Sequence, residues 1–353
     1  MKRWIIVGVL LVLVQAGLTV WTNGVYENSG TQSAKGPLLA VQATAVDGLL
    51  LEDNEGHKLK LGKRNNHWLL PGSGNFPADS IRIQTLIEKL VNLQRGWPEA
   101  TTSDAAGRFK VAPDNFVHRL TLLANGKTLK MIYFGSSPGL RKLYLRVDKD
   151  PEIHSMTIAA HDLETKADDW IDTTVLHLKA DQVARVHLPG LELEQGKDGL
   201  QPVGLQAGEE VVKDRRDMLV SRLTGLSISA ILGKERKTEY GLDHPVLEYS
   251  VELKDGSKIS YQFGQAPKPA EAKDGNLPPV TDNRYVLKVS NQEQLLRVDG
   301  WQVDELKKAS RAELVKAKVV APSAATEAQQ SSGPAIPPRP LPSNEANTPV
   351  PGP

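Results

Sequence analysis

The sequence predicts an α+β protein in which two related units, each a mainly antiparallel sheet with a packed helix, follow an N-terminal transmembrane helix. Three observations lead to this fold class. A long apolar run occupies the N-terminus, two strong hairpin signals recur at nearly constant spacing, and an amphipathic helical pattern precedes each hairpin. The chain of 353 residues is long enough for two domains of ordinary size.

Residues 1–21 predict a membrane anchor. The apolar run extends from Trp4 to Trp21, and about 18 helical residues span ~27 Å, close to the apolar thickness of a bilayer. The two tryptophans bracket the run as interfacial aromatic residues do. Lys2 and Arg3 favour a cytoplasmic N-terminus. We therefore expect a single-pass protein of the bacterial inner membrane with the bulk of its chain in the periplasm. A cleaved signal peptide is the alternative.

The remaining composition predicts the domain organisation. Residues 22–36 are small and polar and are typical of a tether, and residues 316–353 are predicted to form a disordered tail rich in proline. The folded part between them divides into a first α+β unit, 37–180, and a second, 181–315. This division follows from an internal duplication.

The duplication is indicated by matched landmarks. Gly126 and Gly256 lie 130 residues apart, and Phe134-Gly135 recurs as Phe263-Gly264. A polar insertion at 266–283 accounts for a larger offset later in the second unit. The further predicted pairs are Phe109 with Tyr240, Trp170 with Trp301, and the segment 143–147 with 285–289.

Each unit is predicted to contain a helix. The segment 57–71 predicts a strand pair joined by a turn, and a helix capped by Asp79 or Ser80 should follow it. The apolar positions repeat at intervals of three and four, as in one face of a helix. In the first unit these positions are Ile83, Leu86, Ile87, Leu90 and Leu93, and in the second they are Met218, Leu219, Leu223 and Leu226.

A hairpin follows each helix. Asn125-Gly126 lies between the apolar segments 116–123 and 129–134, and this dipeptide favours a type I′ turn because both residues tolerate positive φ. Asp255-Gly256 lies between 246–253 and 258–263 in the same way. We expect the second hairpin to repeat the first.

A G-x-S-x-G pattern at 135–139 suggests a nucleophilic serine, Ser137. A nucleophile elbow requires a helix directly after the serine, whereas the sequence continues into another strand. The matched segment of the second unit retains Phe263-Gly264 and a proline but has no serine. We therefore interpret the segment as a turn, and a serine hydrolase remains the least favoured alternative.

No other segment predicts a catalytic, metal-binding or nucleic-acid-binding site. His154 and His161 suggest a metal site or a base–acid pair. No three histidines cluster at the spacing of metal ligands, so surface or partly buried histidines without a site are the better interpretation. Cysteine is absent, which excludes disulfides, thiolate zinc sites and cysteine nucleophiles. A net charge of +1 and an aromatic content of 5% give no support for nucleic-acid binding. We predict no catalytic, cofactor-binding or metal-binding residue.

Three segments resemble domain-of-unknown-function family 4340. They are HWLLPGSGNFPADSIRIQTLIEKLVNL at 67–93, EYGLDHPVLEYSVELKDGSKISYQFG at 239–264 and NRYVLKVSNQEQLLRVDGWQVDEL at 283–306. The first unit departs from the family pattern, because Phe109-Lys110-Val111 stands where Tyr-Gly-Leu is expected. The most family-like positions, interpreted as a partner-contact or a structural motif, are Tyr240, Gly241, Leu242, Pro245, Phe263, Gly264 and Tyr285.

The resemblance implies bacterial membrane-anchored proteins encoded beside gliding-type ABC transporters, without catalytic residues. The resulting hypothesis is a non-enzymatic periplasmic accessory protein of an ABC-type transport system. Its expected partners are the inner membrane and an ABC-transporter permease or another envelope protein. A cell-envelope scaffold, or a module that binds glycan or protein, is the alternative.

Overall fold

The computed structural model describes residues 36–265 and 284–318. The predicted anchor, most of the tether, the insertion 266–283 and the tail from residue 319 lie outside the described residues. None of the helices in the described ranges combines the length and apolar character needed to cross a membrane.

The first sheet is antiparallel throughout. Its strands are β1 Gly48–Asp53, β2 Lys58–Arg64, β3 His67–Leu70, β4 Phe76–Pro77, β7 His118–Ala124, β8 Lys127–Phe134, β9 Leu143–Val147 and β10 Ile153–Met156. Across the sheet they lie in the order β10-β9-β8-β7-β1-β2-β3-β4. Two helices and a short strand pair interrupt the sheet along the chain. The interrupting elements are α1 Ser80–Val91, α2 Ser103–Arg108, β5 Val111–Ala112 and β6 Asn115–Phe116.

The second sheet is also antiparallel. Its strands are β11 Val183–Leu188, β12 Leu191–Gly196, β13 Gly199–Pro202, β15 Ala230–Gly233, β16 Leu247–Leu253, β17 Lys258–Gln265, β18 Arg284–Val289 and β19 Leu295–Asp299. Across the sheet they lie in the order β13-β12-β11-β16-β17-β18-β19-β15. The other elements are α3 Lys213–Thr224, α4 Gly300–Lys307, α5 Arg311–Leu314 and the separate pair of β14 Glu209–Val211 with β20 Val315–Ala317.

The two sheets share one strand order. The run β3-β2-β1-β7-β8-β9-β10 corresponds to β13-β12-β11-β16-β17-β18-β19. The register agrees as well, because Phe134 pairs with Leu145 where Phe263 pairs with Leu287. The predicted match of 143–147 with 285–289 is therefore confirmed, as is a mixed α and β architecture with mainly antiparallel sheets.

The first helix follows its predicted pattern as far as Val91, where it ends, so the predicted Leu93 lies beyond it. The Asp79 carboxylate accepts hydrogen bonds from the backbone N–H groups of Ile81 and Arg82, so it caps α1. The buried residues of α1 are Ile83, Leu86, Ile87 and Leu90. In α3 the prediction for Met218 is wrong: its side chain is 48% exposed, because it lies about 100° around the helix from the buried Leu219.

The two hairpins differ in their turns. Asn125 and Gly126 both have positive φ, 51° and 74°, which confirms the type I′ turn. In the second hairpin only Gly256 has positive φ, and Leu253 N–H donates to the Ser257 carbonyl. The Asp255 carboxylate accepts hydrogen bonds from both Ser257 N–H and Ser257 Oγ, which stabilises a longer turn.

The segment 157–182, here called the connector, joins the two sheets and contacts both. Asp79 N–H donates to the Trp170 carbonyl at 2.8 Å, and Ile228 N–H donates to the Thr173 carbonyl at 3.1 Å. The predicted match between Trp170 and Trp301 is wrong. Trp170 is fully buried in the connector, whereas Trp301 lies in α4 and is 64% exposed. The sheets share one continuous apolar core.

The predicted start of the tail also differs from the structure. Strand β20 continues to Ala317, beyond residue 316, because Glu210 and Glu209 pair with Lys316 and Ala317.

Candidate functional site

The family-like residues of the second unit form a loop that crosses strand β17 at a glycine. The loop, residues 238–242, contains Gly241 in the left-handed region at φ 65°. A Cβ atom on Gly264 would lie 2.0 Å from the Tyr240 carbonyl oxygen and 2.9 Å from Leu242 N. No side chain fits at Gly264, because the backbone of the loop occupies that space.

The first unit contains the same crossing. A Cβ atom on Gly135 would lie 1.9 Å from the Phe109 carbonyl oxygen and 2.8 Å from that of Lys110. Lys110 adopts φ 58°, close to the value for Gly241. The first unit therefore departs from the family pattern in residue type but keeps the backbone conformation. We call residues 108–111 and 238–242 the crossover loops.

The side chains of the remaining motif residues take part in packing. Phe263 is fully buried, and Leu242 is 3% exposed in a small apolar cluster with Val286 and Leu295. The Tyr285 hydroxyl donates to Asp304 Oδ1 at 2.6 Å, and burial, followed by this hydrogen bond, raises the pKa of Tyr285 to about 12. Pro245 lies half-buried just before β16.

Ser137 lies in an exposed turn between β8 and β9. Its Oγ is 2.6 Å from the Gly139 carbonyl oxygen and 2.8 Å from that of Lys142, so the hydroxyl donates within its own turn. No helix follows, because β9 begins at Leu143. These contacts stabilise the turn, and the hydrogen bonds of Ser137 Oγ among the described residues involve no acid or base side chain.

The two suspected histidines have different surroundings. His154 is buried in β10, with Nε2 3.3 Å from Glu152 Oε2, whereas His161 lies on an exposed 3-10 turn. Arg95 contacts Glu152 Oε2 at 2.7 Å and Asp150 Oδ2 at 2.6 Å. Within the described ranges, no set of three or more metal-ligating side chains is arranged to hold an ion.

A charged cluster at the end of β1 was not predicted from the sequence. Arg119 Nε donates to Glu52 Oε2 at 2.6 Å and Lys58 Nζ lies 2.8 Å from Glu52 Oε1. The hydrogen bond from Arg119 lowers the pKa of Glu52, and burial opposes that shift. The cluster forms because the strand register pairs Glu52 with Lys58 on one side and with Arg119 on the other. A prediction of that register would have been needed to find the cluster from the sequence.

Asp53 anchors the connector to the first sheet. Thr165 Oγ1 donates to Asp53 Oδ2 at 2.7 Å, and His57 Nδ1 lies 2.9 Å from the same oxygen. Burial acts to raise the pKa of Asp53, but the hydrogen bonds from Thr165, His57 and the backbone outweigh burial and lower it to about 2. The ionised carboxylate therefore stabilises the folded state.

We expect Asp53→Asn to lower the free energy of unfolding at neutral pH by about 1–2 kcal/mol, because the hydrogen bonds to an ionised group are lost. Since the folded-state pKa is depressed from 3.8 to about 2, this contribution is present above about pH 4 and disappears as the pH falls toward 2. Urea denaturation of the wild type and of Asp53→Asn at several pH values between 2 and 7 measures the difference in their free energies of unfolding.

The exposed Asp198 provides the control for this measurement. Its replacement by asparagine should change the free energy of unfolding at pH 7 by no more than about 0.5 kcal/mol, as is usual for an exposed side chain. A stability difference between wild type and Asp53→Asn that stays constant from pH 7 to pH 2 would contradict the assignment of this pH dependence to Asp53.

The fold and the paired crossover loops define a class of protein: a duplicated antiparallel α+β protein in which each sheet is crossed at a glycine. The family model described as Domain of unknown function (DUF4340) matches residues 68–245, a range that includes both crossover loops. The chain belongs to this family. No curated protein and no solved structure matches it.

Proposed function

We propose that this chain is a non-enzymatic accessory protein of an ABC-type transport system in the bacterial inner membrane. Residues 1–21 anchor it, and the two sheets lie in the periplasm, where they contact a permease or another envelope protein. The observation that carries the proposal is the apolar run from Trp4 to Trp21 behind Lys2 and Arg3. The transport context is what the resemblance of the three segments to domain-of-unknown-function family 4340 implies.

Four large apolar side chains in the described ranges are available to a partner: Leu140 is 91% exposed, Ile81 81%, Trp97 66% and Trp301 64%. Ser137, the one candidate nucleophile, is engaged in its own turn.

Membrane fractionation and permease co-purification test this proposal. We expect the full-length chain to remain in the membrane after an alkaline wash and to co-purify with a permease. Placing arginine at both Val9 and Leu13 should release it, because each charge at the centre of a span costs about 2.5–3.5 kcal/mol. A wild-type chain found in the soluble fraction, or one that captures no transporter subunit, would contradict the proposal.

A cell-envelope scaffold that binds glycan is the second candidate, and the tail rich in proline favours it. About 33 extended residues at ~3.1 Å each could reach ~100 Å beyond the second unit. Sedimentation with purified peptidoglycan distinguishes the scaffold from the transport accessory protein. The full-length chain is compared with a chain truncated after Lys318. Binding that requires the tail would favour the scaffold.

A further inference from the structure

The turn that contains Ser137 presents the most exposed large apolar side chain among the described residues. We call residues 136–142 the Leu140 finger. Leu140 is 91% exposed at its tip, and Gly139 and Lys142 form an antiparallel bridge beneath it. Ser137 Oγ contacts the carbonyl oxygens of both bridge residues. The finger is therefore a braced turn that holds Leu140 in solvent.

Four exposed cations surround the base and tip of this finger. Arg141 and Lys142 belong to the finger itself, and Arg108 and Lys110 belong to the first crossover loop. The loop and the finger are in contact, since Ser136 N–H donates to the Phe109 carbonyl at 3.0 Å and the rings of Phe109 and Tyr144 lie 4.3 Å apart. No carboxylate in the described ranges forms an ion pair with any of the four.

Two of these cationic residues adopt a backbone conformation that is unfavourable for any residue with a Cβ atom. Lys110 has φ 58° and Arg141 has φ 56°, in the left-handed region where a Cβ atom costs free energy. The second unit has Gly241 at the position of Lys110 and Glu239 at that of Arg108. At Lys110 the first unit therefore carries a positive charge where its copy has glycine, which adopts this backbone conformation more readily, as expected when a position serves binding rather than stability.

The finger and the point where the chain enters the fold are joined to opposite ends of strand β9. Residues 36–38 pair with 93–95, and the Arg95 side chain contacts Asp150 and Glu152 in the turn between β9 and β10. The finger lies at the opposite end of β9. In an anchored chain whose tether enters at residue 36, this arrangement places the finger at the end of β9 opposite to the entry point.

We propose that the Leu140 finger, with Arg108 and Lys110, is a docking surface for an acidic segment of a partner protein, with Leu140 seated in an apolar pocket of that partner. The inference rests on the proposed function, for which it supplies the contact surface. A single buried apolar anchor within a rim of charge is a common arrangement in interfaces, and the charges accelerate association.

Photocrosslinking in native membranes tests the surface. p-Benzoylphenylalanine replaces Leu140 in the full-length chain, and the crosslinked peptide is identified by mass spectrometry. We expect a peptide of an envelope protein with several Asp or Glu residues, and an adduct yield that falls with added salt. The same probe in place of Ile81, also highly exposed, serves as the control and should give little of this adduct.

A second pair of variants separates docking from folding. Lys110→Gly combined with Arg141→Gly removes two charges and relieves both backbone conformations. We expect the melting temperature to rise and the adduct yield to fall by about fivefold or more. Lys110→Arg keeps the charge and should keep the yield.

Three results would overturn the inference: a lipid adduct, a crosslinked peptide without acidic residues, or an unchanged yield in the double glycine variant. If a permease still co-purifies but crosslinks only from Ile81, the docking surface is wrong and the proposed function stands. If no partner co-purifies and the chain leaves the membrane, the proposed function itself fails.

Discussion

Gly264→Ala is expected to be one of the two most destabilising alanine substitutions at the glycines that the structure describes. The new Cβ would lie 2.0 Å from the Tyr240 carbonyl oxygen and 2.9 Å from the Gly241 carbonyl carbon. Both neighbours are backbone atoms, so no rotamer change relieves the overlap, and strand or loop must shift. We expect a loss of about 3 kcal/mol or more, and a melting temperature lower by roughly 6–12 °C.

Two further alanine variants make this prediction specific. Gly135→Ala should have a similar effect, because its Cβ would lie 1.9 Å from the Phe109 carbonyl oxygen. Gly107→Ala is the control, because Gly107 lies in α2 with no atom within 4 Å of the added Cβ. Alanine is the better helix former, so the free energy of unfolding should rise by about 0.5–1 kcal/mol. Calorimetry measures all three. If the Gly264→Ala protein has the melting temperature of the wild type, the loop does not cross the strand this closely.

Trp170→Ala is expected to destabilise the protein where the connector packs on the first unit. The side chain is fully buried, its Nε1–H donates to the Glu164 carbonyl at 2.9 Å, and the Arg82 guanidinium lies 4.6 Å from the ring centroid. Truncating a buried tryptophan costs about 3–5 kcal/mol. The midpoint of guanidinium denaturation should fall accordingly.

Trp301 is the matched control, because the same substitution there removes a side chain that is 64% exposed. We expect Trp301→Ala to change the free energy of unfolding by no more than about 0.5 kcal/mol. Equal losses at the two tryptophans would contradict the structure and would restore the equivalence that their spacing in the sequence suggested.

Local chemistry made much of the fold predictable. Asn125-Gly126 requires two residues with positive φ, and it forms the type I′ turn at the predicted place. Asp79 supplies the cap before the apolar positions of α1, and those positions are buried. Each of these signals acts over a few residues, so the sequence contains all the information they need.

The candidate site was less predictable because its contacts join distant segments. The sequence marked Tyr240-Gly241-Leu242 and Phe263-Gly264 as family-like, but it did not indicate that one backbone crosses the other. Lys110 looked like a departure from the pattern, and only the structure showed that it keeps the φ value of Gly241. The link from Thr165 to Asp53 spans 112 residues and has no local signal.

The sequence by itself determined that this chain has a long apolar N-terminal run, antiparallel hairpins in duplicate and membership of a family. It determined these because periodicity, turn residues and spacing are local or repetitive properties. Only the tertiary structure decided which glycines are crossed by backbone, which of Trp170 and Trp301 is buried, and that Ser137 braces a turn beneath Leu140. Those outcomes depend on which distant segments pack together, and packing is a property of the folded chain as a whole.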